Sequence, residues 1–175
     1  MKPTDSTSRL YSLNYSDTKT YLMAAAFVVG NIAVPQLCHL AALGGPRWLP
    51  IYFFTLIAAY KYGWKAGLLT ALASPVVNCA IFGMPAAAAL PAILVKSVAL
   101  AFIAAAAAHR VKSVTLAAIT ATVIAYQAVG TLAEWAITGS LTAACQDLVI
   151  GYPGLLAQII GGWAILKIST STRTR

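Results

Sequence analysis

Residues 86–108 read AAAALPAILVKSVALAFIAAAAA, and this stretch decides the fold class. A helix needs about 20 apolar residues to cross the hydrocarbon core of a bilayer, and this run is long enough. Inside lipid the backbone must satisfy its own hydrogen bonds, so the run is predicted to be a helix. Lys96 is its only ionisable residue.

Apolar runs of this kind recur along most of the chain. Hydrophobic residues make up 60% of the sequence and charged residues only 9%, whereas soluble domains carry about 25% charge. Such a chain cannot cover a water-facing surface, so we predict an all-α integral membrane protein, a compact bundle of six transmembrane helices. The predicted helices are Tyr21–Leu43, Trp48–Tyr60, Ala66–Phe82, Ala86–Ala108, Val114–Ile137 and Leu148–Ile168.

The basic residues lie in short clusters between the apolar runs. If the N-terminus is cytoplasmic, ten of the twelve Lys and Arg residues fall on the cytoplasmic side, with Arg47 in an outer loop and Lys96 within a helix. Cytoplasmic loops of membrane proteins carry an excess of Lys and Arg. The pattern therefore predicts that both termini are cytoplasmic, and it argues against nucleic acid as the partner of the net charge of +8.

Polar segments flank the predicted bundle. Residues 1–20 lack the form of a cleavable signal peptide, so they are predicted to be a cytoplasmic segment before a first helix that acts as an uncleaved signal-anchor. The transmembrane domain is predicted over residues 21–168, and a polar cytoplasmic tail over residues 169–175.

Lys96 is the main candidate for a functional residue. An ionisable side chain within a membrane is costly and is a functional hypothesis by default. Because the fourth predicted helix enters from the outside, Lys96 is expected in the outer half of the membrane, at a depth comparable to that of Glu134. Two interpretations stay open and can coexist: Lys96 binds an anionic group of a substrate, such as a carboxylate, or it pairs with Glu134.

Further polar and aromatic residues are expected near Lys96. Gln127, Thr131 and Glu134 share one face of the fifth predicted helix. Trp135 could stack on a flat ring or belong to the aromatic belt at the membrane interface, and Arg47 could close over an anion or remain a solvated loop charge. Helix packing is the alternative for the polar residues. The predicted substrate-binding residues are Lys96, Glu134, Gln127, Asn78, Trp135, Gln158 and Arg47.

The sequence predicts neither a metal site nor an enzyme. Cys38, Cys79 and Cys145 match no zinc spacing and are expected to behave as buried hydrophobes, with a disulfide or a metal site as alternatives. The chain contains no G-x-x-x-x-G-K, HExxH or GxSxG motif. We therefore predict no catalytic residue and no cofactor, and expect another subunit to supply energy if the chain pumps against a gradient.

Gly and Pro motifs follow one another in a defined order over residues 44–96. The stretch GGPRWLP (44–50) is followed by Gly63 and Gly67, by Ala73-Ser74-Pro75, by Gly83-Met84-Pro85 and by Leu90-Pro91. This order resembles the substrate-binding S components of energy-coupling factor (ECF) vitamin transporters. Members of that family often carry an acidic residue shortly after the Leu-Pro, where this chain has Lys96, and the reversed charge favours an anionic ligand.

The resemblance implies a six-helix bundle in the cytoplasmic membrane of a bacterium or archaeon. It also implies high-affinity capture of a vitamin or similar micronutrient near the outer face, and association with a membrane T component and two ATPases. In the family, small residues four apart on the first helix contact the T component. Ala26 and Gly30 have this spacing, and generic helix packing is the alternative.

We therefore predict the substrate-binding subunit of an ECF-type ABC importer for a small water-soluble micronutrient, a vitamin or a precursor. Two alternatives stay open. A six-helix scaffold of a cell-envelope complex needs no polar cavity, so Lys96, Glu134 and Gln127 would be dispersed. An autonomous carrier or membrane enzyme that uses Lys96 and Glu134 would act without an ATPase.

Overall fold

The computed structural model describes residues 10–38 and 44–171, and these residues form helices and turns without a strand. The basic residues Lys2, Arg9, Arg173 and Arg175, and also His39, lie outside the described residues. The helices are α1 (Thr18–Cys38), α2 (Gly44–Trp48), α3 (Phe53–Tyr62), α4 (Trp64–Phe82), α5 (Leu90–Val111), α6 (Leu116–Thr138), α7 (Leu141–Ala144), α8 (Gln146–Val149) and α9 (Tyr152–Ser171).

Four of these helices are long and apolar enough to cross a membrane, namely α1, α4, α5 and α6. The prediction of an all-helical chain is confirmed for the described residues, and the four apolar helices indicate a membrane protein. Helix α3 has ten residues and rises about 15 Å, half the thickness of the hydrocarbon core. Helix α9 has 20 residues but is not among these four, so the count of six crossings stays a prediction.

Helix α3 is the centre of the bundle. It packs against α1, α4, α5 and α9, and its residues from Thr55 to Tyr60 are all buried. The chain reverses at Gly63, whose φ of +91° suits glycine. Helix α4 then returns so close to α3 that a Cβ on Gly67 would lie 2.5 Å from the Cβ of Ala59. The chain thus turns between α3 and α4, in the gap between the second and third predicted helices.

Asn31 joins three helices inside the bundle. Its Nδ2 donates to Thr55 Oγ1 at 3.0 Å and to Ser74 Oγ at 3.1 Å, and its Oδ1 accepts from the Phe54 backbone N–H at 3.1 Å. Hydrogen bonds between polar side chains hold membrane helices together. Asn31 therefore links α1, α3 and α4, a role that the sequence did not reveal.

The predicted continuous helix Trp48–Tyr60 is wrong. Helix α2 ends at Trp48, Leu49 adopts a left-handed conformation (φ 45°, ψ 42°), and a 3-10 turn at Pro50–Tyr52 precedes α3. The residue before a proline is disfavoured in the helical region, which explains the break at Leu49. The predicted helix Leu148–Ile168 is also not continuous in the structure, because α8 ends at Val149 and α9 begins only at Tyr152.

The polar ends are partly built into the fold. The Tyr11 backbone N–H donates to the Lys61 carbonyl at 2.7 Å, and the Tyr11 ring stacks on Tyr62 with centroids 5.6 Å apart. Helix α1 begins at Thr18, within the predicted segment 1–20, and α9 extends to Ser171, within the predicted tail 169–175. Residues 1–9 and 172–175 of these two segments lie outside the described residues.

Candidate functional site

Lys96 lies inside the bundle at the contact between α5 and α6. Only 2% of its side chain is exposed. Its aliphatic stem crosses α6 at Gly130, where a Cβ would lie 2.5 Å from Lys96 Cγ. Glycine at this position therefore provides the space through which the ammonium group reaches the end of α6.

Two carboxylates from different elements meet the Lys96 ammonium. Lys96 Nζ donates to Asp147 Oδ2 at 2.7 Å and forms a second ion pair with Glu134 Oε2. Glu134 lies one turn after Gly130 on α6, and Asp147 lies on the short helix α8. We call Lys96, Glu134 and Asp147 the ion triad, which links α5, α6 and α8.

The ion triad carries one positive and two negative charges in their ordinary ionised forms, so its formal net charge is −1. Two unit charges 4 Å apart interact with about 4 kcal/mol at the effective dielectric constant typical of proteins. An anion next to Lys96 would gain one such attraction but meet repulsion from both Glu134 and Asp147. The charge of Lys96 is therefore already neutralised by the two carboxylates. This charge balance does not favour the binding of an anionic ligand beside Lys96.

A cavity of about 320 Å³ opens beside the ion triad. This volume lies at the lower end of the range for small-molecule sites, about 300–1,000 Å³. Its walls come from α1, α2, α4, α5, α6, α8, the turn before α3 and the loop between α4 and α5. The lining residues are Pro35, Pro46, Leu49, Pro50, Ile51, Tyr52, Asn78, Met84, Pro85, Ala86, Ala89, Ile93, Lys96, Glu134, Gln146 and Asp147.

Three of the predicted substrate-binding residues line this cavity: Lys96, Glu134 and Asn78. The Asn78 amide is already engaged, because its Nδ2 donates to the Asn31 carbonyl at 2.9 Å and to the Ser74 carbonyl at 3.1 Å. Its Oδ1 accepts a long hydrogen bond of 3.5 Å from Gln36 Nε2. Asn78 thus closes the wall of the cavity and has little capacity left for a ligand.

Gln127 and Gln158 lie behind the cavity and do not line it. Both contact the buried Tyr126 hydroxyl, which donates to Gln158 Oε1 at 2.7 Å and accepts from Gln127 Nε2 at 3.2 Å. The Tyr126 ring packs against Tyr52, a lining residue, with centroids 5.7 Å apart. The two glutamines therefore support the aromatic wall, as the packing alternative expected.

Trp135 and Arg47 lie on the surface of the described structure. Trp135 is 48% exposed, although its neighbour Glu134 belongs to the ion triad. Arg47 is exposed on α2, whereas the preceding residue Pro46 lines the cavity. Neither side chain lines the cavity, so the geometry places neither the predicted stacking ring Trp135 nor the predicted lid cation Arg47 beside the ion triad.

The two small residues predicted to contact a T component have different surroundings. Ala26 is exposed on α1. Gly30 faces α3, where a Cβ would lie 2.9 Å from the Phe54 ring. The close approach at Gly30 thus serves packing within the chain, and only Ala26 is open to a partner.

A second cavity, of about 690 Å³, lies at the other end of α5. It is larger, but none of the predicted site residues lines it. Its walls are mainly alanines and aromatic rings, with His109 and Lys112 as the basic residues. The predicted site residues that line a cavity therefore line the smaller one.

The cysteines do not form a site in the described part of the chain. Cys38, Cys79 and Cys145 are free thiols of intermediate burial. Over residues 10–38 and 44–171, no three His, Cys, Asp or Glu side chains lie close enough together to hold a metal ion.

Asp147 is the site residue that the sequence analysis missed. It lies 51 residues after Lys96 in a segment between helices, where helical spacing predicts no contact. One signal was available, because the whole chain has only four acidic residues and a buried lysine needs a counter-charge. The roles of Tyr52 and Gly130 were not predicted either, because they depend on packing.

Comparisons with protein-family models, with curated proteins and with solved structures find no match to this chain. The resemblance to S components therefore rests on the Gly and Pro motifs alone.

The ion triad predicts a specific pattern of stability. Lys96→Met should destabilise the protein by about 3–5 kcal/mol, because it leaves two buried carboxylates without their cation. The same change in a Glu134→Gln/Asp147→Asn background should cost much less, since no charge is then left unpaired. The measurement is SDS-induced unfolding of the detergent-solubilised variants, followed by circular dichroism.

Lys167→Met provides the matched control. Lys167 is exposed on α9 and lies over the Trp163 ring, so its replacement should shift the unfolding free energy by less than about 0.5 kcal/mol. An equal cost for Lys96→Met in both backgrounds would show that the ion triad does not couple Lys96 to the carboxylates.

Proposed function

We propose that this chain is the substrate-binding subunit of an ECF-type ABC importer, which captures a small water-soluble micronutrient. The observation that carries the proposal is the convergence of Lys96, Glu134 and Asp147 on one cavity of about 320 Å³. A scaffold protein needs no such cavity, and its intramembrane charges would be dispersed. Charged groups inside a membrane bundle most often mark a substrate or ion pathway.

We further propose six membrane crossings with both termini in the cytoplasm. Helix α2, the 3-10 turn and α3 together would form the second crossing, and α9 the sixth. This topology places Lys61, Lys65, Arg110 and Lys112 on the cytoplasmic side, in agreement with the excess of basic residues there. The ion triad and its cavity then open toward the outside, where a nutrient is captured.

Single-cysteine labelling tests this topology. In a variant with Cys38, Cys79 and Cys145 replaced by Ala, Ser140→Cys should react with a membrane-impermeant maleimide in intact cells. Ser113→Cys, at the other end of α6, should react only after the cells are opened. Labelling of Ser113→Cys in intact cells would contradict the proposed orientation.

The proposed partners are a membrane T component and two ATPases in the cytoplasmic membrane of a bacterium or archaeon. The sequence has no nucleotide-binding motif, so ATP hydrolysis would come from these subunits. Helix α1 offers the docking face. Ala26 lies there beside the exposed side chains of Leu22 and Val29.

The Lys96–Glu134 ion pair also keeps the autonomous carrier or membrane enzyme as a second candidate. Acidic and basic pairs inside membrane bundles serve as proton relays in some transporters. The two candidates differ in their energy source, because a carrier would move its substrate without an ATPase.

Native mass spectrometry of the protein released from its membrane tests capture. We expect one small molecule per chain, which survives purification and dissociates on denaturation. Liposomes that contain the chain alone should not accumulate this molecule, because the proposed importer needs its coupling subunits. A chain that never carries a small molecule would favour the scaffold, and accumulation by the chain alone would favour the carrier.

A further inference from the structure

The charge balance of the cavity points to the class of its ligand. Among the described residues that line the cavity, Lys96 is the only basic one, and it faces two carboxylates. Arg47 does not line the cavity and is exposed. The charges of the described lining residues therefore sum to −1 in their ordinary ionised forms.

Both carboxylates keep capacity for a ligand. Lys96 contacts Oε2 of Glu134 and Oδ2 of Asp147, and no residue within 10–38 and 44–171 donates a hydrogen bond to the second oxygen of either group. The Glu134 and Asp147 side chains are 20% and 15% exposed, and both line the cavity. Their second oxygens are thus available as acceptors for a ligand.

The remaining walls are apolar or aromatic, with few polar groups. Tyr52 is held by its contact with Tyr126, and the Pro, Ala, Leu and Ile side chains of the lining offer no charge. A site with a small volume, apolar walls and one charged end selects a compact ligand by its single charged group.

We infer that the cavity takes a compact ligand with a positively charged group, such as an ammonium or a charged nitrogen ring. The cationic group lies against Glu134 and Asp147, and its charge completes the neutralisation that Lys96 begins. Lys96 is then a positioning residue that holds the two carboxylates together. This inference rests on the proposed capture function, and it replaces the anionic ligand expected from Lys96 alone.

Three pools of small molecules test the charge class. The purified protein in nanodiscs is incubated at neutral pH with a cationic pool (thiamine, choline, pyridoxamine), a neutral pool (riboflavin, nicotinamide, pyridoxine) or an anionic pool (biotin, pantothenate, nicotinate). Retained molecules are identified by mass spectrometry, together with any molecule carried over from the expression host. We expect retention from the cationic pool or of a cationic host molecule.

Conservative variants then test the two carboxylates. Glu134→Gln and Asp147→Asn each keep the side-chain shape and remove one negative charge, so the affinity for the retained cation should fall at least tenfold. Asp17→Asn is the matched control, because Asp17 lies in the N-terminal segment and accepts a hydrogen bond from the Asn14 backbone. The affinity of the Asp17→Asn variant for the retained cation should equal that of the wild-type protein.

The outcomes separate this inference from the proposed function. Retention of a neutral or anionic molecule would overturn the cationic assignment and leave nutrient capture standing. Retention of a cation with unchanged affinity in both carboxylate variants would overturn the role of Glu134 and Asp147. A protein that retains nothing from any pool or host would overturn capture itself.

Discussion

A lysine ammonium buried in an apolar helix bundle needs a counter-charge, and much of this structure follows from that constraint. Lys96 sits in the longest apolar stretch of α5 with 2% of its side chain exposed. Gly130 leaves room for its stem on α6, and Glu134 and Asp147 provide the negative charges. Because breaking a buried ion pair costs several kcal/mol, the ion triad fixes how the ends of α5 and α6 meet α8. The same residues form the charged wall of the cavity, so the packing and the proposed binding site share one interaction.

Around the ion triad, several buried polar side chains form hydrogen bonds between helices. Asn31 connects α1 to α3 and α4, and Tyr126 connects Gln127 to Gln158 on α9. Such hydrogen bonds are worth about 1–2 kcal/mol at most in membrane bundles. They set the position of the aromatic and proline walls without adding charge to the cavity. The proposed recognition of a ligand therefore depends mainly on the ion triad.

The sequence predicted those parts of the fold that depend on local pattern. The apolar runs located α4, α5 and α6 within a few residues, because a run of that length and hydrophobicity has few alternatives to a helix. The short helices α2 and α8 were not predicted, since they depend on packing along α9, such as the close approach of Gly154 to the Trp48 carbonyl. The break at Leu49 could have been predicted, because the residue before a proline is disfavoured in the helical region. For the site, Lys96 and Glu134 could be paired by their depth on neighbouring helices. Asp147 could not be paired with Lys96 from the sequence, because its position depends on how the segment between α6 and α9 folds over the bundle. The exposure of Trp135 could not be predicted either, because its neighbour Glu134 is in the ion triad.

The neutralisation of Lys96 by carboxylates inside the bundle can be measured directly. Glu134 is the single glutamate of the sequence, so solid-state NMR can measure its distance from lysine directly in lipid bilayers. In protein labelled with ¹⁵N at lysine Nζ and ¹³C at glutamate Cδ, we expect strong dipolar dephasing of the Glu134 carboxylate. This dephasing should be lost in Lys96→Met. A Glu134 carboxylate that shows no dephasing by lysine nitrogen in the wild-type protein would contradict the ion triad and the charge argument built on it.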